Sequence, residues 1–591
     1  MCGIHLIWGK SANKEAVHSL MSQSQFRGPD QEAAMSPWPR LWVGVNRLKI
    51  LHTGPEADQP FWSEDGKSML IWNGEIYNYK SLRNLLKKMG VDFITECDTE
   101  VLIHWIRLFG AKGLEKLEGM FALIYIDLKD NSILVARDPS GEKPLYYSQN
   151  QDRLVISSEA RGIANLTQAK FDKSQLENYC FLRAPLLGKT FFKGIKEWKP
   201  SRYSLILQHS TFRWDNIQPQ KTKIQKFEKE EFKALLKDAV TTQFHADVPV
   251  GMMLSGGMDS SLLYKTWYEN SGISLPAYTI EVEKKYQKKY ADAAAAKELV
   301  KKVPAAHRLI SVNQQVFWDN WEAYLHSVDF PIGDSAGFLT WLIGKEAKKE
   351  VKVLISGAGA DELWGGYKRH AAFSSYLENQ RLILDLKPFC QKMPFGPSIK
   401  KFFDSVEPNP EKTFLNFTAL APVSEDLASD YERIFHPKLK PYKKALDFDR
   451  QVYLVQDVLK IHDQALMANS IEGRSPYLSS NMLAFWREIQ DENLLKGKLW
   501  IKEILMEAGL QEVTKRKKFG FGLPLLEWFS EKGEFSNRVY GKLREFENSM
   551  GNSLPKTIRQ LLKNPESNYR THYLMLYNLF FLAEWMDLKK L

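Results

Sequence analysis

The chain has 591 residues, 44% hydrophobic and 26% charged, an ordinary globular composition that excludes a fibrous or disordered protein. Its net charge of +10, from 81 basic and 71 acidic residues, is modest for this length. Lysine pairs such as Lys284-Lys285 and Lys301-Lys302 sit among acids or in helical patterns, so they read as solvated faces and no nucleic-acid partner is expected.

The four cysteines, Cys2, Cys97, Cys180 and Cys390, are far apart and form no CxxC pair. That argues against a zinc site or disulfide framework and suits a reducing cytosol. The N-terminus lacks a basic region and a long apolar run, so no signal peptide is read there. No stretch approaches the ~20 apolar residues of a membrane span. The expected location is cytoplasmic, with no membrane partner.

Residues up to about 210 are predicted to be β-rich. Strands are expected at Leu70-Ile71-Trp72, at Phe121 to Leu128 and Ser132 to Ala136 around a Lys129-Asp130-Asn131 hairpin, at Leu154 to Ser157 and at Tyr203 to Leu207. Many short strands with few helices predict a sandwich of antiparallel sheets. The polar stretch Asn216 to Lys226 is read as the boundary between domains 1–215 and 216–591. Beyond it, Phe227 to Phe244 has helical spacing, and Val248 to Leu254, Pro276 to Val282 and Val351 to Ile355 are apolar strands followed by helices. That alternation predicts a parallel α/β sheet. From about 375 onward the pattern is mainly helical.

Two groups of residues carry chemistry. The first begins at Cys2, which becomes terminal once Met1 is removed. Its α-amine, with a reference pKa near ~8, can take the thiol proton without a histidine. Asn73-Gly74-Glu75 follows a strand, so a side-chain amide and a backbone N–H can face one oxyanion; a type I′ hairpin turn is the alternative. Arg47 is suited to grip a carboxylate and Glu75 with Asp98 an ammonium. Nucleophile, oxyanion hole and amino-acid clamp make a glutamine amidase.

The stretches CGI at 2–4, RGPD at 27–30, NRL at 46–48, NGEIYNY at 73–79, CDTE at 97–100 and RDPSGEKPLYY at 137–147 resemble the class II glutamine amidotransferase domain. The resemblance implies Cys2 as nucleophile, Asn73 with Gly74 as oxyanion hole, and Arg47, Asn73, Glu75 and Asp98 as the glutamine site. Arg27 falls in a loop near the nucleophile. Phe26 stands where relatives often carry histidine; that histidine is not the base, so activity is expected to survive.

The second group is Ser255-Gly256-Gly257-Met258-Asp259-Ser260-Ser261, after a strand and opening a helix. Glycines admit phosphate oxygens, free N–H groups and hydroxyls bind them, and Asp259 can hold Mg²⁺. No GxxxxGK[ST] is present, so this is not a Walker loop. It resembles the loop of ATP pyrophosphatases. Ser356-Gly357-Ala358-Gly359-Ala360-Asp361-Glu362 is its partner, with Asp361 completing the metal site. Leu254 and Ile280 suit the walls of an adenine pocket or, equally, the core.

The order of these motifs, ending in MANSIEGRSPYL at 467–478, resembles glutamine-hydrolysing asparagine synthetase over nearly the whole chain. That family implies adenylation of aspartate by ATP, release of pyrophosphate, and displacement of AMP by ammonia from glutamine carried through an internal tunnel. It also implies a homodimer. In Lys515-Arg516-Lys517-Lys518 it implies a catalytic lysine at Lys518, with Lys517 or a solvated helix end as alternatives. Asp463, Glu472 and Arg474 match a further family stretch, as ligands or as structural ion pairs. Two departures stand out. Ala358 replaces a usual acid, leaving Glu362 or a water to handle the amine, or a different acceptor carboxylate to be amidated. Ser479 replaces a usual aspartate.

Overall fold

The structure is a computed structural model describing residues 2–207, 211–218, 227–420, 423–516 and 520–590. The N-terminal part is built on two six-stranded antiparallel sheets. The first runs in the order Ile195–Glu197, Tyr146–Gln149, Arg153–Ser157, Cys2–Gly9, Leu41–Arg47, Gln31–Trp38. The second runs Thr211–Asn216, Arg202–Leu207, Ser132–Arg137, Gly119–Asp127, Ser68–Ile76, Phe61–Trp62.

Period-2 alternation dictates how these sheets stack. Ile4 and Leu6 of the first sheet meet Met69, Ile71, Ile124 and Val135 of the second in one buried layer. The opposite faces are covered by helices. Ile7 and Val155 pack on Val17, Leu20 and Met21 of helix Lys14–Gln23, whose Asn13 caps it by accepting from Ala16 N–H at 2.8 Å. Leu70, Trp72 and Leu123 pack beneath helices Tyr79–Lys88 and Asp98–Phe109. The result is a helix–sheet–sheet–helix sandwich, and the expected hairpin closes with Asp127 opposite Ser132.

One expectation about local structure changes. Asn73-Gly74 is neither a hairpin turn nor a segment after the strand: both lie inside Ser68–Ile76, opposite Ala122 and Phe121. A side chain at Gly74 would collide with the Met120 carbonyl, so the strand pairing itself demands glycine.

The second part is a parallel sheet in the order Ala306–Val312, Pro276–Val282, Val250–Met253, Val353–Ile355, Glu472–Arg474. Strand order reverses between Val250–Met253 and Val353–Ile355, and the two Gly/Ser loops leave the carboxyl ends of these two strands. That is the switch point where ligands bind in open parallel sheets. The last strand, Glu472–Arg474, interrupts the helical region and is too short to show an apolar period.

Candidate active site

Cys2 is buried at the edge of the sandwich core, 4% exposed. Its main-chain N–H donates to Asn73 Oδ1 at 2.9 Å. With its oxygen so engaged, the fully buried Asn73 leaves its Nδ2 without a hydrogen-bond partner. A buried orphan amide donor beside a thiol is the kind of group that can stabilise an oxyanion. Burial pushes the Cys2 thiol up, opposed by the Arg47 charge and a hydrogen bond from the Leu48 main chain.

The clamp residues sit around this point. Arg47, directly opposite Cys2 in the sheet, donates from Nη1 to Asp58 at 2.6 Å and from Nη2 to the His52 carbonyl at 2.9 Å. Asp98 accepts from Ile76 N–H at 3.2 Å. Burial pushes its carboxyl up to about 6, against that hydrogen bond and the Arg47 charge. Glu75 is raised well above the ordinary range by burial and by Glu472, with Arg474 opposing. An ammonium placed beside these two buried carboxyls would favour their charged forms. Asp98 loses its charge as pH falls through about 6. On the expectation that Asp98 holds the ammonium of glutamine, the KM for glutamine should rise about tenfold from pH 7 to pH 5. Steady-state glutaminase kinetics across that range check it, and Asp98→Asn should flatten the profile.

Sequence alone left Asp463, Glu472 and Arg474 open between ligands and ion pairs; the structure places all three in ion pairs, Asp463 and Arg474 reaching across to the first part and Glu472 pairing with Arg474. Arg27 donates to Asp463 through Nη1 and Nη2 at 2.9 and 2.8 Å, to Glu159 at 2.8 Å, and from Nε to the Cys2 carbonyl at 3.4 Å. Arg474 donates to Glu472 at 2.6 Å, reaches Glu75 at 3.4 Å, and accepts Ser356 N–H on its own carbonyl at 3.0 Å. Ser470 donates to the Phe26 carbonyl at 2.7 Å, a contact that does not depend on the side chain at 26. Arg474 thus touches Glu75 of the first part through its side chain and the second Gly/Ser loop through its carbonyl.

In the first loop, Ser255 and Ser260 hydroxyls lie 3.0 Å apart, Gly257 N–H donates to Ser255 Oγ at 3.2 Å, and the loop opens helix Met258–Ser271. Gly256 has φ +65°, and a side chain there would strike the Ala295–Ala296 backbone. The Ser261 hydroxyl is buried without a hydrogen-bond partner. Gly357 lies against Asp259. Leu254 and Ile280 are both buried but belong to separate hydrophobic clusters.

Asp259 and Asp361 converge on one cation. Lys498 Nζ donates to both Asp259 oxygens at 2.6 Å and also to Asp361. Burial opposes the ammonium charge, but the two aspartates outweigh it and hold Lys498 above the ordinary lysine range. Sequence reasoning missed Lys498; in a lysine-rich helical stretch its only signal is Gly497, which allows the tight turn entering Leu499–Glu507. Lys517 and Lys518 lie outside the described residues. Their neighbour Arg516 donates to the Gly256 carbonyl at 3.2 Å, so Arg516 itself reaches the loop.

The structure explains one of the two departures. Ser479 caps helix Ser480–Glu488, its hydroxyl accepting from Met482 N–H at 3.4 Å. Serine and aspartate are interchangeable caps, so Ser479→Asp should leave thermal stability nearly unchanged while Ser479→Ala costs about 1 kcal/mol by denaturant titration. Ala358 donates its N–H to Ser356 Oγ at 3.3 Å and offers no proton acceptor. Glu362 nearby is buried, accepts from the Tyr367 hydroxyl, and is pushed up to about 7 by burial and by Asp361.

A thiol with an oxyanion donor on one unit, and a phosphate-type loop with paired carboxylates on the other, define an amide-nitrogen transferase fused to a nucleotide-using ligase. Comparison with known proteins makes this specific. Residues 1–216 match the glutamine amidotransferase domain model and residues 231–587 the asparagine synthase model. The chain belongs to the glutamine-hydrolysing asparagine synthetase family. It is 28% identical to Bacillus subtilis asparagine synthetase [glutamine-hydrolyzing] 1, covering 92% of this chain and 90% of that one. It is 26% identical to a putative asparagine synthetase [glutamine-hydrolyzing] of Mycobacterium bovis, covering 90% and 86%. To a putative asparagine synthetase [glutamine-hydrolyzing] 2 of Methanocaldococcus jannaschii it is 30% identical, covering 63% and 76%. Among the described residues no helix is long and apolar enough to cross a membrane.

Proposed function

We propose that this chain makes asparagine from aspartate, glutamine and ATP. The α-amine of Cys2, freed by removal of Met1, takes the Sγ proton. Sγ attacks the side-chain carbon of glutamine, with negative charge collecting at Asn73 Nδ2 and Gly74 N–H. The carbon–nitrogen bond breaks, ammonia leaves with the proton, and water releases glutamate from the thioester. Arg47 binds the α-carboxylate of glutamine, and Glu75 with Asp98 its ammonium.

In the second domain of the proposed division at 215/216, Ser255, Gly256, Gly257, Ser260, Ser261, Ser356 and Gly357 cradle ATP between Leu254 and Ile280. Mg²⁺ fits the donor set, since Asp259 and Asp361 already converge on one cation, and these two carboxylates would hold it. When bound, it neutralises the leaving pyrophosphate. Lys518 is assigned the charge on the adenylating phosphate. A cytoplasmic homodimer is part of the same reading.

The observation that carries the proposal is the Arg474 strand, which joins an amidase pocket to a pair of nucleotide loops in one chain. Ala358 favours one alternative, amidation of a different carboxylate. Purified protein given Mg-ATP, aspartate and amide-¹⁵N glutamine should yield labelled asparagine with stoichiometric AMP and pyrophosphate. Glutamate without asparagine would reject aspartate as the acceptor.

A further inference from the structure

Gln59 lies outside every motif quoted above, yet it touches the nucleophile. It is buried, 5% exposed, just before the short strand Phe61–Trp62. Its amide has a fixed orientation, because Oε1 accepts the Trp72 main-chain N–H at 2.7 Å. Only the oxygen can accept there, so Nε2 must face the other way, and it donates to Cys2 Sγ at 3.6 Å. Gln31 pins the backbone at the same residue, accepting Gln59 N–H at 3.4 Å and donating to its carbonyl at 2.7 Å. Trp72 directly precedes Asn73. One side chain therefore ties the oxyanion strand to the sulfur.

We propose that Gln59 is a catalytic residue of the glutaminase: its amide N–H stabilises the Cys2 thiolate and fixes the position from which sulfur attacks. The inference rests on Cys2 as the nucleophile. When the Sγ proton moves to the α-amine, the Gln59 hydrogen bond becomes charge-assisted and strengthens. When sulfur bonds to the glutamine carbon, it gives up that charge and the hydrogen bond relaxes. The donor therefore raises the thiolate fraction near neutral pH, against the burial that disfavours it.

The test is the pH dependence of Cys2 alkylation by iodoacetamide, read by peptide mass spectrometry so that Cys97, Cys180 and Cys390 are scored separately. Gln59→Leu should raise the midpoint by about one pH unit and lower kcat for glutamine hydrolysis at pH 7 about tenfold, with KM within twofold. A merely structural role would lower the melting temperature and leave the midpoint in place, and an unmoved midpoint overturns the proposal. Should Gln59→Leu fail to fold, Gln59→Glu decides: it keeps the acceptor for Trp72 and should raise the midpoint further, and an unchanged or lower midpoint overturns the proposal. Glutamine hydrolysis that survives Cys2→Ala would instead remove the reading on which the inference rests.

Discussion

Cys2→Ala should abolish glutamine-driven amidation and leave ammonia-driven amidation intact. The expected loss of glutaminase is at least ~10³-fold, since a nucleophile has no substitute within its own site. The substitution is mild for the fold. The Cys2 N–H still donates to Asn73, the strand pairing with Arg47 is unchanged, and one buried sulfur is lost. The measurement is product formed from glutamine and, separately, from ammonium chloride at a pH that supplies free ammonia. Product from ammonia alone places the two reactions at separate sites. Loss of both would mean that Cys2 supports the synthetase part as well, and the division of labour proposed above would fail.

Much of this was legible in the residues because the chemistry is local in sequence. SGGMDSS and SGAGADE each follow an apolar strand, and parallel-sheet topology brings such loops together at strand ends. The sandwich could be read from many short apolar strands, such as Ser132–Arg137, with few helices between them. What sequence did not show is long-range. Gln59 reaches Cys2 across 57 positions and Lys498 reaches Asp259 across 239. No periodicity or spacing marks either, because each works through one atom delivered by tertiary packing. At Asn73-Gly74 the hairpin alternative fails for the opposite reason. The dipeptide is the strongest short hairpin signal, but here glycine answers the Met120 carbonyl across the sheet. The Arg474 strand escaped notice because three residues are too few to show a pattern.

Asp259→Asn should lower pyrophosphate release by about 10²- to 10³-fold while glutaminase activity persists, the usual cost of removing one preorganised charge from a reacting centre. The argument turns on Lys498. Its ammonium bridges Asp259 and Asp361. Asparagine keeps the shape and offers only one neutral oxygen to Lys498. The buried ammonium remains paired with Asp361, so no charge is stranded and the fold should tolerate the change. What is lost is half the negative charge that can share a cation with the departing phosphates. The assay is pyrophosphate release with aspartate and Mg-ATP, run beside glutamine hydrolysis on the same preparation. Full release by Asp259→Asn would remove Asp259 from the proposed metal site and leave the convergence on Lys498 as a structural ion pair. Loss of glutaminase together with release would show instead that the Arg474 strand transmits damage at the nucleotide loops back to the thiol.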